Sequence, residues 1–136
     1  MGKIPLVDPK ALRIIESVLQ DTPDLAVPLT PGPVKLIPAS GKIDRAKADT
    51  VDNAKLYGIL IKKAPGNSAG TLIRLGVVGG YDFTGVNFDT PIYLDNDGDL
   101  NTAPGTQNKR VGRVIPLKGQ LHGLPYNKAL SVELAQ

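Results

Sequence analysis

The side chains that most often carry enzyme chemistry are scarce in this sequence. Its 136 residues include no cysteine and a single histidine, His122, in the run LHGLP at 121–125. Nucleophilic catalysis needs a serine or cysteine held beside a base, and one histidine between glycine and proline suggests no such pair. A zinc site needs several nitrogen or sulfur ligands, and the chain offers one imidazole. We therefore expect no catalytic, cofactor-binding or metal-binding residues, no cofactor, and a protein that is not an enzyme.

The densest group of carboxylates is the run DNDGD at 95–99, whose alternating oxygen ligands are typical of calcium loops. An EF-hand loop has glycine at its sixth position and a bidentate glutamate at its twelfth. Counted from Asp95, those positions hold Leu100 and Thr106, so the register fails. We interpret the run as the polar tip of a hairpin, with calcium bound at an interface as the alternative.

Patterns that bind phosphate or nucleic acid are also weak. The run GVVGG at 76–80 follows a predicted strand, but it lacks the lysine of a phosphate-binding loop and no helix pattern follows it. The net charge is only +3, and a single aromatic residue, Tyr57, lies among the basic residues of the first half. No run approaches the roughly 18 apolar residues of a spanning helix. We expect neither a nucleic-acid nor a membrane partner. The basic residues that could form a nucleic-acid-binding patch are Lys42, Arg45, Lys47, Lys62 and Lys63, and a solvated face is the expected alternative.

The composition favours many short strands joined by turns. The chain has 15 glycines and 12 prolines, and both residues destabilise helix interiors. Short apolar runs predict strands over 55–62 and 110–117, and apolar–polar alternation predicts strands over 71–78 and 129–134. The pair Asp97–Gly98 predicts a hairpin between strands at 91–94 and 99–102. We therefore expect a mainly β fold, a small barrel or sandwich, over residues 41–136.

Residues 1–40 differ in their residue pattern from the rest of the chain and are predicted to form an N-terminal arm. Asp8 suits a helix N-cap and Pro9 the first helical position, and the apolar residues that follow have helical spacing, which predicts one short helix over about 9–20. Prolines then recur from Pro23 to Pro38, and proline withholds a backbone donor, so this stretch is not expected to form a central strand.

The arm nevertheless carries apolar side chains at regular intervals, and soluble monomers seldom expose such a strip. We expect it to pack on a neighbouring chain, and the alternative is that it folds over its own domain. The candidate interface residues are Leu12, Ile15, Leu19, Leu25, Val27 and Leu29.

Four segments between Lys47 and Leu134 resemble, in the same order, the capsid decoration (head cement) proteins of tailed phages. The run AKAD at 46–49 leads to KLYGIL at 55–60, which is similar to an alanine-rich entry followed by a strand. IRLGVV at 73–78 is similar to a strand ending in Gly-Val. FDTPIYL at 88–94 precedes the Asp-Gly hairpin, and RVGRVI at 110–115 resembles an R-x-G-x-V strand. The first 40 residues and Phe88, where the family often has glycine, depart from the pattern.

This resemblance implies a β-tulip-like barrel, usually a homotrimer, bound to the major capsid protein on the outside of an expanded head. It would place the protein on the virion surface after synthesis in the host cytoplasm. Another virion structural β module, such as a tail-tube, baseplate or head-fibre component, is the alternative. A tail-tube subunit usually has a longer amphipathic hairpin, whereas every strand predicted here is short.

Overall fold

The computed structural model describes residues 14–19, 30–62, 69–116 and 127–134. These residues contain nine strands and no helix. Every strand pairing is antiparallel. The prediction of a mainly β fold is confirmed. The strands are β1 (Ile14–Leu19), β2 (Gly32–Ile37), β3 (Lys42–Arg45), β4 (Leu56–Lys62), β5 (Ala69–Val78), β6 (Pro91–Leu94), β7 (Leu100–Asn101), β8 (Arg110–Pro116) and β9 (Lys128–Glu133).

The strands form one sheet in the order β3-β2-β4-β5-β9-β8-β6-β7, and β1 pairs with β5 outside this path. The sheet is open and curled into a half-barrel. The ten-residue strand β5 holds it together, because it pairs with β4, with β9 and with β1. Curling lets one face of the sheet enclose a core, as the expected barrel or sandwich would.

The strands predicted after residue 55 lie where the alternation placed them. β4, β5, β8 and β9 each fall within a residue or two of the predicted bounds, and β6 and β7 form the hairpin around Asp97–Gly98. In β9, Leu130 and Val132 are fully buried, as the alternation requires.

The helix predicted over 9–20 is wrong for residues 14–19, which form strand β1. The apolar residues of this segment satisfy helical spacing, but Ile14, Ile15 and Val18 are β-branched and favour extended backbone. Pairing with β5 from Ala69 to Leu75 favours the strand over the helix. The remaining residues of the predicted helix lie outside the described part of the chain.

The expectation that the proline-rich stretch cannot hold a central strand is also wrong, because β2 has β4 on one side and β3 on the other. In an antiparallel ladder a residue's N–H and C=O point to the same neighbour. The Pro33 carbonyl accepts a hydrogen bond from the Ala46 amide (3.2 Å), so the proline nitrogen also points toward the β3 side. The ladder with β3 begins one residue later, at Val34, and therefore loses no donor.

Residues 1–40 supply two strands of this single sheet. The boundary at residue 40 falls in the turn of the β2–β3 hairpin, where the Gly41 amide donates to the Ile37 carbonyl (2.8 Å). The segments 14–19 and 30–40 thus belong to the same sheet as the strands of residues 41–136.

Buried side chains form two clusters, one on each face of the sheet at β4 and β5. Neighbouring residues take opposite faces, so Ile59 and Ile73 enter the larger cluster while Leu60 and Leu72 enter the smaller. The smaller cluster also contains Val34, Ile43 and the partly buried Leu36 and Tyr57. The larger consists of Ala46, Ala48, Ile59, Ile73, Phe83, Ile92, Leu94, Val111, Val114, Leu130 and Val132.

Candidate functional site

The predicted interface residues fall mostly outside the described part of the chain. This applies to Leu12, Leu25, Val27 and Leu29, and of Leu19 only the backbone is described, as the last residue of β1. Ile15 lies in β1 opposite Ile73 and leaves 47% of its surface exposed. His122 also lies outside the described residues.

Among the described residues, a polar cleft of about 310 Å³ lies between the start of β2, the end of β3 and the 95–99 turn. An apolar cleft of about 320 Å³ adjoins it and shares Pro31 and Tyr81 as a common wall. Burial raises the pKa of the Tyr81 phenol above its ordinary value of 10.0, and the nearby Arg45 guanidinium partly offsets this. The polar cleft is lined by Thr30, Pro31, Gly32, Pro33, Arg45, Tyr81, Asp97, Gly98, Asp99 and Leu100.

Arg45 is a structural brace of this cleft and not part of a solvated basic face. Its guanidinium donates to the Pro33 carbonyl (2.9 Å), to the Thr30 hydroxyl (2.7 Å) and to the Thr30 carbonyl. Burial lowers the pKa of this guanidinium below its ordinary value, although an arginine remains charged near neutral pH. Because its donors are taken up by the chain's own oxygens, Arg45 holds the start of β2 against β3.

The 95–99 turn is docked on β3 and is not a free hairpin tip. The Asp95 carboxylate accepts hydrogen bonds from the amides of Asp97 and Asp99, both at 2.9 Å, so it stabilises its own turn. Gly98 is buried with a left-handed backbone (φ 90°), and a side chain there would lie 2.8 Å from the Ala46 carbonyl oxygen. The turn therefore requires glycine at this position for two reasons, its left-handed backbone and its close approach to β3.

A second polar cluster fixes β1 to the sheet. The Tyr57 hydroxyl donates to one carboxylate oxygen of Glu16 (2.6 Å), and the Arg74 guanidinium lies 3.6 Å from the other. Arg74 also lies over the Tyr57 ring, 4.1 Å from its centroid, and donates to the Tyr57 carbonyl (3.0 Å). The hydrogen bond with Glu16, together with burial, raises the pKa of the Tyr57 phenol above 10.0.

Sequence reasoning missed this cluster, because its members lie on three different strands. A β-bulge brings Tyr57 to it. Val34 pairs with Gly58 and Lys35 with Leu56, so Tyr57 is the extra residue of β4 and lies on the face of the smaller core cluster.

The face of β8 and β9 carries a chain of ion pairs. Arg113 contacts Asp89 (2.7 Å) and Glu133 (3.1 Å), and Arg110 contacts the other oxygen of Glu133 (3.3 Å). The hydrogen bond with Asp89 is the main reason that the pKa of Arg113 is raised. Exposed ion pairs contribute little to stability, so we expect this network to add little to the free energy of unfolding.

Large apolar side chains are exposed at scattered positions. Val51 and Phe88 lie in loops and are 69% and 50% exposed, while Val77 lies on β5 and is 52% exposed. Ile61 on β4, at the adjoining apolar cleft, is also exposed.

Two exposed carboxyl groups, those of Asp49 and Asp52, are held in the ionised form by neighbouring donors. The pKa of Asp49 is lowered mainly by a hydrogen bond from Asn53, and that of Asp52 mainly by Lys55. A carboxyl with a lowered pKa stays ionised near neutral pH and is a poor general acid. No group of three or more histidine, cysteine, aspartate or glutamate side chains is placed to hold a metal within the described ranges. In the same part of the chain, no helix has the length and apolarity to cross a membrane.

Comparison with family models, with curated proteins and with solved structures finds no match to this chain.

Proposed function

We propose that this protein is a non-enzymatic structural subunit that decorates the outside of a tailed-phage head as a homotrimer. Its partner would be the major capsid protein, and its role would be to stabilise the expanded shell. In this proposal the half-barrel belongs to a trimer of tulip-type β domains on the virion surface.

The placement of the segments that resemble decoration proteins carries the proposal. Two of them lie on the paired strands β4 and β5, where Ile59 pairs with Ile73. The other two include β6 and the greater part of β8, which pair through Pro91 with Arg113 and Ile92 with Gly112. Segments that resemble a family in the right order and also pair with each other support a shared fold more strongly than isolated motifs would.

The surface supports a binding role without chemistry. The described residues provide exposed apolar side chains and charged pairs, but no arrangement of catalytic groups. A protein that coats a lattice needs only modest contacts, because symmetric repetition of each contact supplies avidity. The arm residues Leu12, Ile15, Leu19, Leu25, Val27 and Leu29 are the proposed contacts with the shell or with a neighbouring subunit.

The direct test mixes the purified chain with expanded heads that lack it and sediments the particles. We expect saturable binding at a fixed ratio to the major capsid protein, with added density outside the shell by cryo-electron microscopy. Unexpanded heads are the control for selectivity. Binding to purified tails or baseplates but not to heads would contradict the proposal and favour another virion module.

A deletion of residues 2–13 tests the part played by the arm, since it leaves every described strand intact. We expect the truncated protein to keep the circular dichroism spectrum of the full chain and to lose part of its affinity for heads, because the deletion removes Leu12 and leaves the other proposed contacts in place. Unchanged affinity would exclude this segment as the clamp.

A further inference from the structure

Strand β1 joins the sheet through β5. It lies outside the continuous strand order, and among the described residues its only ladder is with β5, although it also approaches β3. Ile15 and Ser17 are exposed, and neither core cluster includes Ile15.

The place that β1 occupies is nevertheless selective for this strand. Residues 69–75 of β5 provide the ladder, and Arg74 and Tyr57 provide two donors for one carboxylate. Only Glu16 in β1 meets them, so the contact combines charge complementarity with a fixed register. Any copy of the chain presents the same place and carries the same strand.

The connection between β1 and β2 is long enough for β1 to leave its own sheet. Residues 20–31 separate Leu19 from Gly32, and twelve extended residues span up to roughly 40 Å. The sequence of this connection contains Pro23, Pro28 and Pro31, and a residue that precedes proline favours extended backbone.

We propose that β1 is exchanged between copies of the chain, so that β1 of one subunit pairs with β5 of the next. The exchange keeps the ladder and the Glu16 contacts, and it adds an interface between subunits, which is why swapping of an identical element is a low-cost route to an oligomer. The proposal rests on the homo-oligomeric part of the proposed function and not on the capsid.

Engineered disulfides test the exchange, because the chain has no cysteine of its own. Ser17 and Thr71 are direct partners in the β1–β5 ladder. The S17C and T71C variants are mixed in equal amounts, unfolded in urea, refolded together and oxidised. We expect a disulfide-linked pair of chains on a non-reducing gel. Random collision is the background, and effective concentrations in the millimolar range would give on the order of 100-fold more product than at 10 μM.

The matched control uses Val77 and Ser131, which are direct partners in the β5–β9 ladder within the main strand order. Mixed V77C and S131C should give only background linkage between chains, while the V77C/S131C double variant should link within one chain. Circular dichroism of each single variant verifies that it folds.

Light scattering separates this inference from the proposed trimer. A trimer whose S17C–T71C linkage stays at the control level would overturn the exchange and leave the trimer standing. A linked species from a protein that is a dimer would support the exchange and contradict the trimer. A monomer with background linkage would overturn both.

Discussion

At the scale of single residues, Gly112 lies at a close approach between the paired strands β8 and β9. A side-chain carbon added there would overlap the Ser131 carbonyl oxygen and would lie 3.3 Å from the Val132 α-carbon. Both are backbone atoms, so no rotamer change would relieve the overlap. Gly112 therefore permits the close pairing of these two strands, which carry Val114, Leu130 and Val132 into the larger core cluster.

We predict that Gly112→Ala lowers the free energy of unfolding by about 3 kcal/mol, within the range of severe single substitutions. Urea denaturation followed by circular dichroism measures the change. Gly41→Ala is the control, because Gly41 has a left-handed backbone (φ 71°) with open space around it, and should cost about 1 kcal/mol from backbone strain alone. Equal losses for the two variants would contradict the steric argument.

Two tyrosines link stability to alkaline pH. The pKa of Tyr57 is raised above 10.0 mainly by its hydrogen bond to Glu16, and that of Tyr81 mainly by burial. A group whose pKa is higher in the folded state contributes stability that is present below its unfolded pKa and is lost as the pH rises through the folded value.

The free energy of unfolding should accordingly fall as the pH is raised from about 10 upward, the ordinary range of a tyrosine. In the Tyr57→Phe/Tyr81→Phe double variant this dependence should be shallower. Urea denaturation at a series of pH values between 8 and 12 measures both slopes. A double variant with the slope of the parent protein would show that other groups control the alkaline limit.

At the scale of elements, β4 contributes side chains to both core clusters and carries two bulges. Tyr57 is the extra residue opposite β2, and Ile61 is the extra residue opposite β5, since Leu60 pairs with Leu72 and Lys62 with Thr71. Between them, Ile59 and Leu60 lie on opposite faces and are both buried. A bulge also increases local twist, which fits the curl of the sheet.

The smaller cluster, to which the described residues contribute four buried side chains, should add substantially to stability. We expect Leu60→Ala to lower the free energy of unfolding by about 2–5 kcal/mol, as buried leucine truncations do. Val51→Ala, at a side chain that is 69% exposed, is the control and should change stability by less than about 0.5 kcal/mol. Chemical denaturation of both variants gives the comparison, and a loss below about 1 kcal/mol at Leu60 would mean that the cluster is readily repacked.

At the scale of the whole molecule, the sheet is open, and an open sheet ends in edge strands, which are the places where another chain can pair. The terminal strands of the path are β3 and the two-residue β7. β3 carries Lys42, Asp44 and Arg45 among its four residues, and charged residues on an edge strand oppose uncontrolled pairing. Among the described strands, β1 combines specific pairing with β5 and a long connection to the next strand of the chain, β2.

The proposed homotrimer predicts a mass of three chains of 14.4 kDa in solution. Multi-angle light scattering at micromolar concentration measures it, and a dilution series shows whether the assembly dissociates. A protein that stays monomeric across the series, and also on the particle, would contradict the proposal.

We also expect that no metal ion is needed for stability. The 95–99 turn is held by the Asp95 carboxylate and by contact with β3, and the register of a calcium loop fails. Adding EDTA should therefore shift the thermal midpoint by less than about 2–4 °C, the size of a small stability change. A larger drop, reversed by calcium, would mark a structural ion.

The sequence alone determined most of the strands after residue 55 and the hairpin at Asp97–Gly98. These features depend on local information: alternation over a few residues, and a turn that needs a residue tolerant of left-handed backbone at a known place. The chemically poor composition, with one histidine and no cysteine, was likewise readable without a structure.

Tertiary structure alone decided the role of residues 14–19 and of β2. Apolar spacing in 14–19 is compatible with a helix, and the strand forms because β5 offers a ladder and because Tyr57, 41 residues away, and Arg74 meet Glu16. Likewise, Pro33 is tolerated in a central strand because its nitrogen faces the β3 side one residue before the ladder with β3 begins at Val34. Neither fact follows from local sequence, because each depends on which strand lies alongside and in what register.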